Sequence, residues 1–248
     1  MKVKAKTLGL WHWLRQNVDL VMVVALAFIV IGTWLVAELA DEVVEGTTQG
    51  FDEWVLHSLR SPEDPRQPIG PAWLASMWTD LTSLGSSTVL TLVTLVCAGY
   101  LWMRRRVRTL VVLAIVVAGG VVLALGMKAF FDRPRPEYAA NMSYVVTASF
   151  PSGHSMLSTV VYMSLAVMLA RSSTEFRFRV YFISVGLVLT LLVGFSRVYL
   201  GVHYPTDVLA GWGCGLIWAA LCWLVVHMLQ KAGIIERPRP QERSDGPL

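Results

Sequence analysis

Three short runs in the second half of this 248-residue chain combine residue types suited to handling a phosphoryl group. The first is Lys128-Ala-Phe-Phe-Asp-Arg-Pro-Arg135-Pro136, in which six residues separate Lys128 from Arg135. The second is Pro151-Ser152-Gly153-His154, and the third runs from Ser196-Arg197 to His203 and Asp207. Lys128, Arg135 and Arg197 supply countercharge for an anion, Arg as a planar fork of donors and Lys as a point charge. Pro151 breaks the preceding loop, Ser152 is a favoured N-cap, and Gly153 lets the backbone approach a ligand closely. His154 then falls in the first turn of a helix, where unpaired N–H groups and the positive dipole end favour an anion. Taken alone, a Ser-Gly pair ahead of a helix is more often only a cap. His203 and Asp207 are four apart, so one helical turn brings them together. A carboxylate holding one imidazole nitrogen orients the other for attack. Pro205 suits the helix start that this pairing requires.

The elements that must position these residues are apolar. The chain is 55% hydrophobic and 15% charged, with a mean hydropathy of +0.56. Soluble domains carry charge on roughly a quarter of their residues. Six apolar runs are long enough to span a hydrocarbon core ~30 Å thick. They cover about Val18–Leu39, Ser86–Met103, Val107–Met127, His154–Ala170, Val180–Phe195 and Thr206–Gln230. The expected fold is all-α, a polytopic membrane protein of six transmembrane helices with short interfacial helices. Residues 1–17 form a basic, aromatic N-terminus, 18–230 the six-span domain, and 231–248 a charged, Pro-rich tail expected to be disordered. Gly119, Gly120 and Gly126 suit close helix contact, as does the Gly211-x-x-x-Gly215 spacing. Cys97, Cys214 and Cys222 all lie in apolar runs, without disulfide or zinc spacing, and read as small core residues.

The interfacial segment, 41–85, is the longest polar connection. Phe51, Trp54, Val55 and Leu59 fall at helical spacing opposite Asp52, Glu53 and Arg60, and Trp73, Leu74, Met77, Trp78 and Leu81 repeat the pattern. Helices lying in the membrane interface and helices capping a bundle explain these faces equally well. With a cytoplasmic N-terminus, fifteen of the twenty-one Lys and Arg residues fall on the cytoplasmic side. The positive-inside rule therefore selects N-in, C-in topology. The six exceptions are Arg60, Arg66, Lys128, Arg133, Arg135 and Arg197, and four of them lie in the loops of the three runs.

With these runs the chain resembles the type 2 phosphatidic acid phosphatase family, whose signature is K-x6-RP, PSGH and SR-x5-H-x3-D. Each signature position is matched in order between Lys128 and Asp207. The resemblance implies catalytic residues His203, His154 and Asp207, with Lys128, Arg135, Ser152, Gly153 and Arg197 binding the substrate phosphate. It further implies that His203 is the nucleophile and forms a phosphohistidine. His154 first protonates the leaving oxygen and then activates water. The expected substrate is a lipid phosphate: an isoprenoid diphosphate such as undecaprenyl diphosphate, phosphatidylglycerol phosphate or phosphatidic acid. A lipid A phosphatase or a phosphotransferase of the same family uses the same motifs. The expected location is a bacterial inner membrane or plasma membrane, with the site facing the periplasm or exterior. No cofactor, metal or nucleic acid is expected, since three cations can neutralise the phosphoryl oxygens and no carboxylate cluster offers to hold Mg²⁺. Oligomeric state is left open.

Other residues have blander readings. Lys128 alone would be a snorkelling cation. Arg133 lies outside the signature, and Asp132 reads as a loop acid. Arg237-Pro-Arg-Pro240 repeats the letters of Arg133–Pro136 without the partnering Lys and reads as a solvated charged segment. His12, His57 and His227 read as interface or packing residues. A transporter of an anionic lipid or phosphate is the rival from another class, but it should place charge near mid-span.

Overall fold

The computed structural model describes residues 19–138 and 148–231. The expected basic N-terminus and the tail from 232 lie outside the described residues, with His12 and Arg237–Pro240. The described residues form α1 (Leu20–Glu45), α2 (Gln49–Ser58), α3 (Ala72–Ser83), α4 (Ser87–Met103), α5 (Val107–Phe130), α6 (Gly153–Ser172), α7 (Phe176–Tyr199) and α8 (Pro205–Lys231). No strand occurs among them, and a single antiparallel bridge joins Arg60 to Pro68.

α1, α5, α6, α7 and α8 are each long and apolar enough to cross a membrane. α4 alone has 17 residues, or about 26 Å at ~1.5 Å per residue, and qualifies only together with α3. The pair is bent by 47° at its break, where the Ser86 hydroxyl accepts from Val89 N–H and caps α4. The sixth candidate crossing is this bent pair taken as one span. α1 ends at Gly46, whose φ of 78° and N–H donation to the Glu42 carbonyl form a left-handed C-cap.

α6 is the central helix. It packs most extensively against α7 and α8, with α5 on a third side, while α1 lies along α8. Its apolar content is diluted by buried Ser155, Ser158 and Thr159, but their hydroxyls are satisfied within the helix: Ser158 and Thr159 donate to the Ser155 carbonyl. α8 approaches α6 through Gly211 and Gly215. A Cβ at Gly211 would lie 2.7 Å from the Ser152 carbonyl oxygen, and one at Gly215 would lie 2.7 Å from Thr159 Cβ. The small-residue spacing is thus a helix contact. Gly119 and Gly120 likewise meet Trp218 and Val160, whereas Gly126 faces open space, so its expected contact is absent. Partly buried indoles tie neighbours by donating to backbone: Trp212 to Thr190 O and Trp218 to Val116 O. α1 carries the opposite surface, with Leu20, Val24, Phe28, Ile31 and Leu35 all exposed, as a lipid-facing helix requires.

The 41–85 segment caps one end of this bundle. α2 packs on α8 and α3 on α7. The apolar set on α2 divides: Val55 and Leu59 pack with Leu56 against Val198 and Val208, while Trp54 is 68% exposed and Asp52 is 0% exposed. Here the inner side offers an arginine, so the carboxylate turns inward and aromatic rings face out.

Candidate active site

Four helix ends converge beneath this cap. Lys128 and Arg197 lie in the last turns of α5 and α7, where cations complement the helix dipole, rather than in the polar loops expected from hydropathy. His154 and Asp207 lie in the first turns of α6 and α8. The helices alternate in direction, so residues scattered over eighty positions meet at one end of the bundle.

Asp207 is buried and fully engaged. Its Oδ2 accepts from the Ser149 hydroxyl and from Tyr204 N–H at 2.9 Å, and lies 3.3 Å from His203 Nδ1. Its Oδ1 accepts from Arg133 Nη1 at 2.7 Å. The His203 proton is thereby assigned to Nδ1, leaving an Nε2 lone pair that takes an Arg135 Nη1 donor at 3.1 Å. Arg135 also donates to the Val202 carbonyl at 3.0 Å. His203 is 1% exposed. Burial, reinforced by Arg197 and Arg135 and only partly offset by Asp207, pushes its pKa down to about 4. The imidazole is therefore neutral near pH 7.

The turn before His203 is built by its neighbours. Gly201 adopts φ 72°, which a side chain would strain, and a Cβ there would meet the Arg60 guanidinium. Arg60 is buried and donates to the Tyr199 and Leu56 carbonyls. Its guanidinium also lies over the Tyr138 ring, whose hydroxyl pairs with His57. His57 is thus a packing residue that braces this turn.

The remaining expected residues surround the dyad. Lys128 Nζ donates to the Ala148 carbonyl at 3.3 Å, and its Cε lies 3.3 Å from where a Gly153 Cβ would stand. Arg197 is 6% exposed; its Nη1 donates to Thr82 Oγ1 at 3.0 Å, while its Nε has no hydrogen-bond partner among the described residues. His154 packs against Gly85 at the α3–α4 break. Lys128, Arg135, Arg197 and His203 all lie within electrostatic reach of it. Ser152 is buried, and its hydroxyl serves α6 itself, accepting from Ser155 N–H and from the Ser155 hydroxyl. The Ser152 N–H donates to the Asp207 carbonyl, stitching α6 to α8.

Several contributors carry no local sequence signal. Ser149, Thr206, Thr82 and Asp52 look like ordinary polar residues, and only their partners across the fold reveal them. Arg133, outside the signature, joins Asp52 to Asp207. Among the described residues Asp132 makes no hydrogen bond to the dyad and stays a loop acid. Among the described residues no three His, Cys, Asp or Glu side chains gather as a metal site would need.

Comparison with known proteins gives a consistent family. The PAP2 superfamily profile matches residues 108–231. Phosphatidylglycerophosphatase B of Bacillus subtilis (strain 168) is 37% identical over 156 residues, covering 61% of this chain and 73% of that protein. An undecaprenyl-diphosphatase of Sulfolobus acidocaldarius is 32% identical over 116 residues, covering 45% of this chain and 51% of that protein. Among solved structures, the crystal structure of a transmembrane PAP2 type phosphatidylglycerolphosphate phosphatase from Bacillus subtilis superposes with a TM-score of 0.71 at 27% identity. That superposition covers 85% of this chain and 98% of that one.

Proposed function

The chain belongs to the PAP2 superfamily of membrane phosphatases, and from that premise we propose that it hydrolyses a lipid phosphate through a phosphohistidine on His203. One observation carries the reading. Lys128, Arg135 and Arg197 converge on the His203–His154 pair, while the carboxylate among them, Asp207, is already occupied by His203, Ser149, Tyr204 and Arg133. Cations gathered against their mutual repulsion ask for an anion with several negative charges. The partnerless Arg197 Nε asks for the same.

The steps are those the family resemblance implies, laid onto these side chains. A phosphoryl oxygen takes the Arg135 donor, freeing His203 Nε2, which attacks phosphorus as the bond to the leaving oxygen breaks. His154, protonated once the negative charge of the phosphate lies beside it, transfers that proton to the leaving oxygen. The new imidazolium keeps its Nδ1–H against Asp207, whose negative charge stabilises it. Neutral His154 then takes a proton from water as its oxygen attacks phosphorus and the P–N bond breaks, returning both histidines to their starting states. Three cations neutralise the phosphoryl oxygens throughout, so no divalent metal is required.

Phosphatidylglycerol phosphate is the first candidate substrate, because the relative of that name is covered over most of its length. Isoprenoid diphosphates and phosphatidic acid follow. The site faces the periplasm or exterior, opposite the Arg104–Arg108 end. The test is phosphate release by the purified protein in detergent micelles, with EDTA, from each of these lipids. Release that survives EDTA and vanishes in His203→Ala is expected. Full turnover by His203→Ala would remove the nucleophile assignment, and lipid binding without release would favour a transporter.

A further inference from the structure

Arg133 is placed where none of the phosphate chemistry above uses it. Its guanidinium lies over the Tyr204 ring at 4.2 Å and reaches two carboxylates at once: Nη1 to Asp207 Oδ1 at 2.7 Å and Nη2 to Asp52 Oδ2 at 2.7 Å. Asp52 is equally engaged, accepting from Thr206 N–H at 3.1 Å and from the Thr206 hydroxyl at 2.6 Å. Thr206 Oγ1 also receives Arg133 Nη1 at 2.9 Å. The result is a closed cycle of Asp52, Arg133 and Thr206, with Asp207 tied to it through Arg133, joining α2, the loop after α5 and the first turn of α8.

We propose that Asp52 and Arg133 form a clamp that positions the Asp207–His203 dyad, making α2 a working part of the active site although it lies 154 residues upstream of its partner Thr206. The inference rests on the reading of His203 as the nucleophile. Two physical arguments support it. A buried carboxylate–guanidinium–carboxylate array is generally no more stable than well-packed apolar side chains of the same volume. Stability alone therefore gives little reason for it. The array also has a directional consequence: with Oδ1 held by Arg133, Asp207 can present only Oδ2 to His203 Nδ1, which fixes the ring's tautomer and aim. Only a guanidinium has the fork to hold both carboxylates; a lysine would hold them through one point.

The alternative is that the cycle merely fastens α2 to the bundle. The two readings separate on the titration of His203, which faces Asp207 on α8, Arg135 and Arg133 on the loop after α5, Ser149, His154 on α6 and Arg197 on α7. In Arg133→Gln, Asp207 loses its cation and its full charge falls on the imidazole, so the His203 titration should rise by about one pH unit. In Asp52→Asn, Arg133 remains on Asp207 and the titration should not rise. ¹⁵N NMR of the full-length protein in micelles reads this without needing turnover, with His203→Ala assigning the resonance. In parallel, phosphate release from phosphatidylglycerol phosphate and farnesyl diphosphate should fall about ten- to a hundredfold in kcat for Asp52→Asn and Arg133→Gln, with KM changed far less. Arg133→Lys should recover only part of the loss. A lower kcat with an unmoved His203 titration in Arg133→Gln would reduce the cycle to a fastener, and wild-type kcat in both variants would remove it altogether. Should Asp52→Asn fail to fold, Arg133→Lys decides, because it keeps the charge and loses only the fork. Failure of the underlying reading looks different: His203→Ala would then keep its turnover whatever the clamp variants do.

Discussion

Phosphoryl transfer to a histidine requires a neutral ring nitrogen held in line with phosphorus, and burial supplies the neutrality of His203. Its pKa of about 4 means that Nε2 takes up a proton only in strongly acidic solution. As pH falls through about 4 the lone pair is lost, and above that value further deprotonation changes nothing at this group. The acid limb of kcat/KM assigned to His203 is therefore expected near pH 4, well below the ~6.5 of an unperturbed histidine. A pH–rate profile checks this, and the ¹⁵N titration separates His203 from ionisation of the substrate. The three cations divide differently. Arg197 keeps a partnerless buried N–H and Arg135 sits on the proposed nucleophile, His203. Arg135→Ala should therefore raise KM and lower kcat together, since it removes both a phosphate donor and the group nearest Nε2.

At the level of elements, the site depends on how closely α8 can approach α6. Gly215 has no room for a side chain: a Cβ would come within 2.7 Å of Thr159 and 2.8 Å of the Met156 carbonyl. Gly215→Val should lower the thermal midpoint of the protein in detergent, by overpacking worth about 1–3 kcal/mol. Gly126→Ala is the matched control, since nothing lies within 4 Å of its added methyl, and it should hold or raise the midpoint. The turn after α7 has its own brace in Arg60. Arg60→Met would leave the buried Tyr199 carbonyl without that donor, a loss of about 1–3 kcal/mol, and would loosen the turn that carries His203. α2 is instructive because its amphipathic pattern left open which way the apolar face turns. The fold buries Asp52 and Arg60 and leaves Phe51 and Trp54 outside. A hydrophobic face shows which residues are alike, and the surroundings decide whether that face turns towards protein or lipid.

On the scale of the whole molecule, the described helices put the signature cluster at one end of the bundle and Arg104–Arg108 at the other, as six alternating spans require. The proposed topology makes a direct prediction. In a variant lacking the native cysteines, Glu63→Cys should react with a membrane-impermeant maleimide in intact cells, and Arg105→Cys should react only after lysis. Both positions are exposed. The reverse pattern would overturn the orientation. What the chain determined by itself is what local chemistry needs: long apolar runs, a bias in cations, and three motifs whose internal spacing matches a helix turn or a helix start. Those features made the all-α membrane fold legible in the sequence and singled out Lys128, Arg135, His154, Arg197, His203 and Asp207 as the candidate site. The bend between α3 and α4, the cap formed by α2, and the bonds of Asp52, Ser149 and Thr82 were decided only in three dimensions. Their side-chain partners lie 54 to 154 residues away, and a carboxylate facing water has the same letter as one facing a buried arginine.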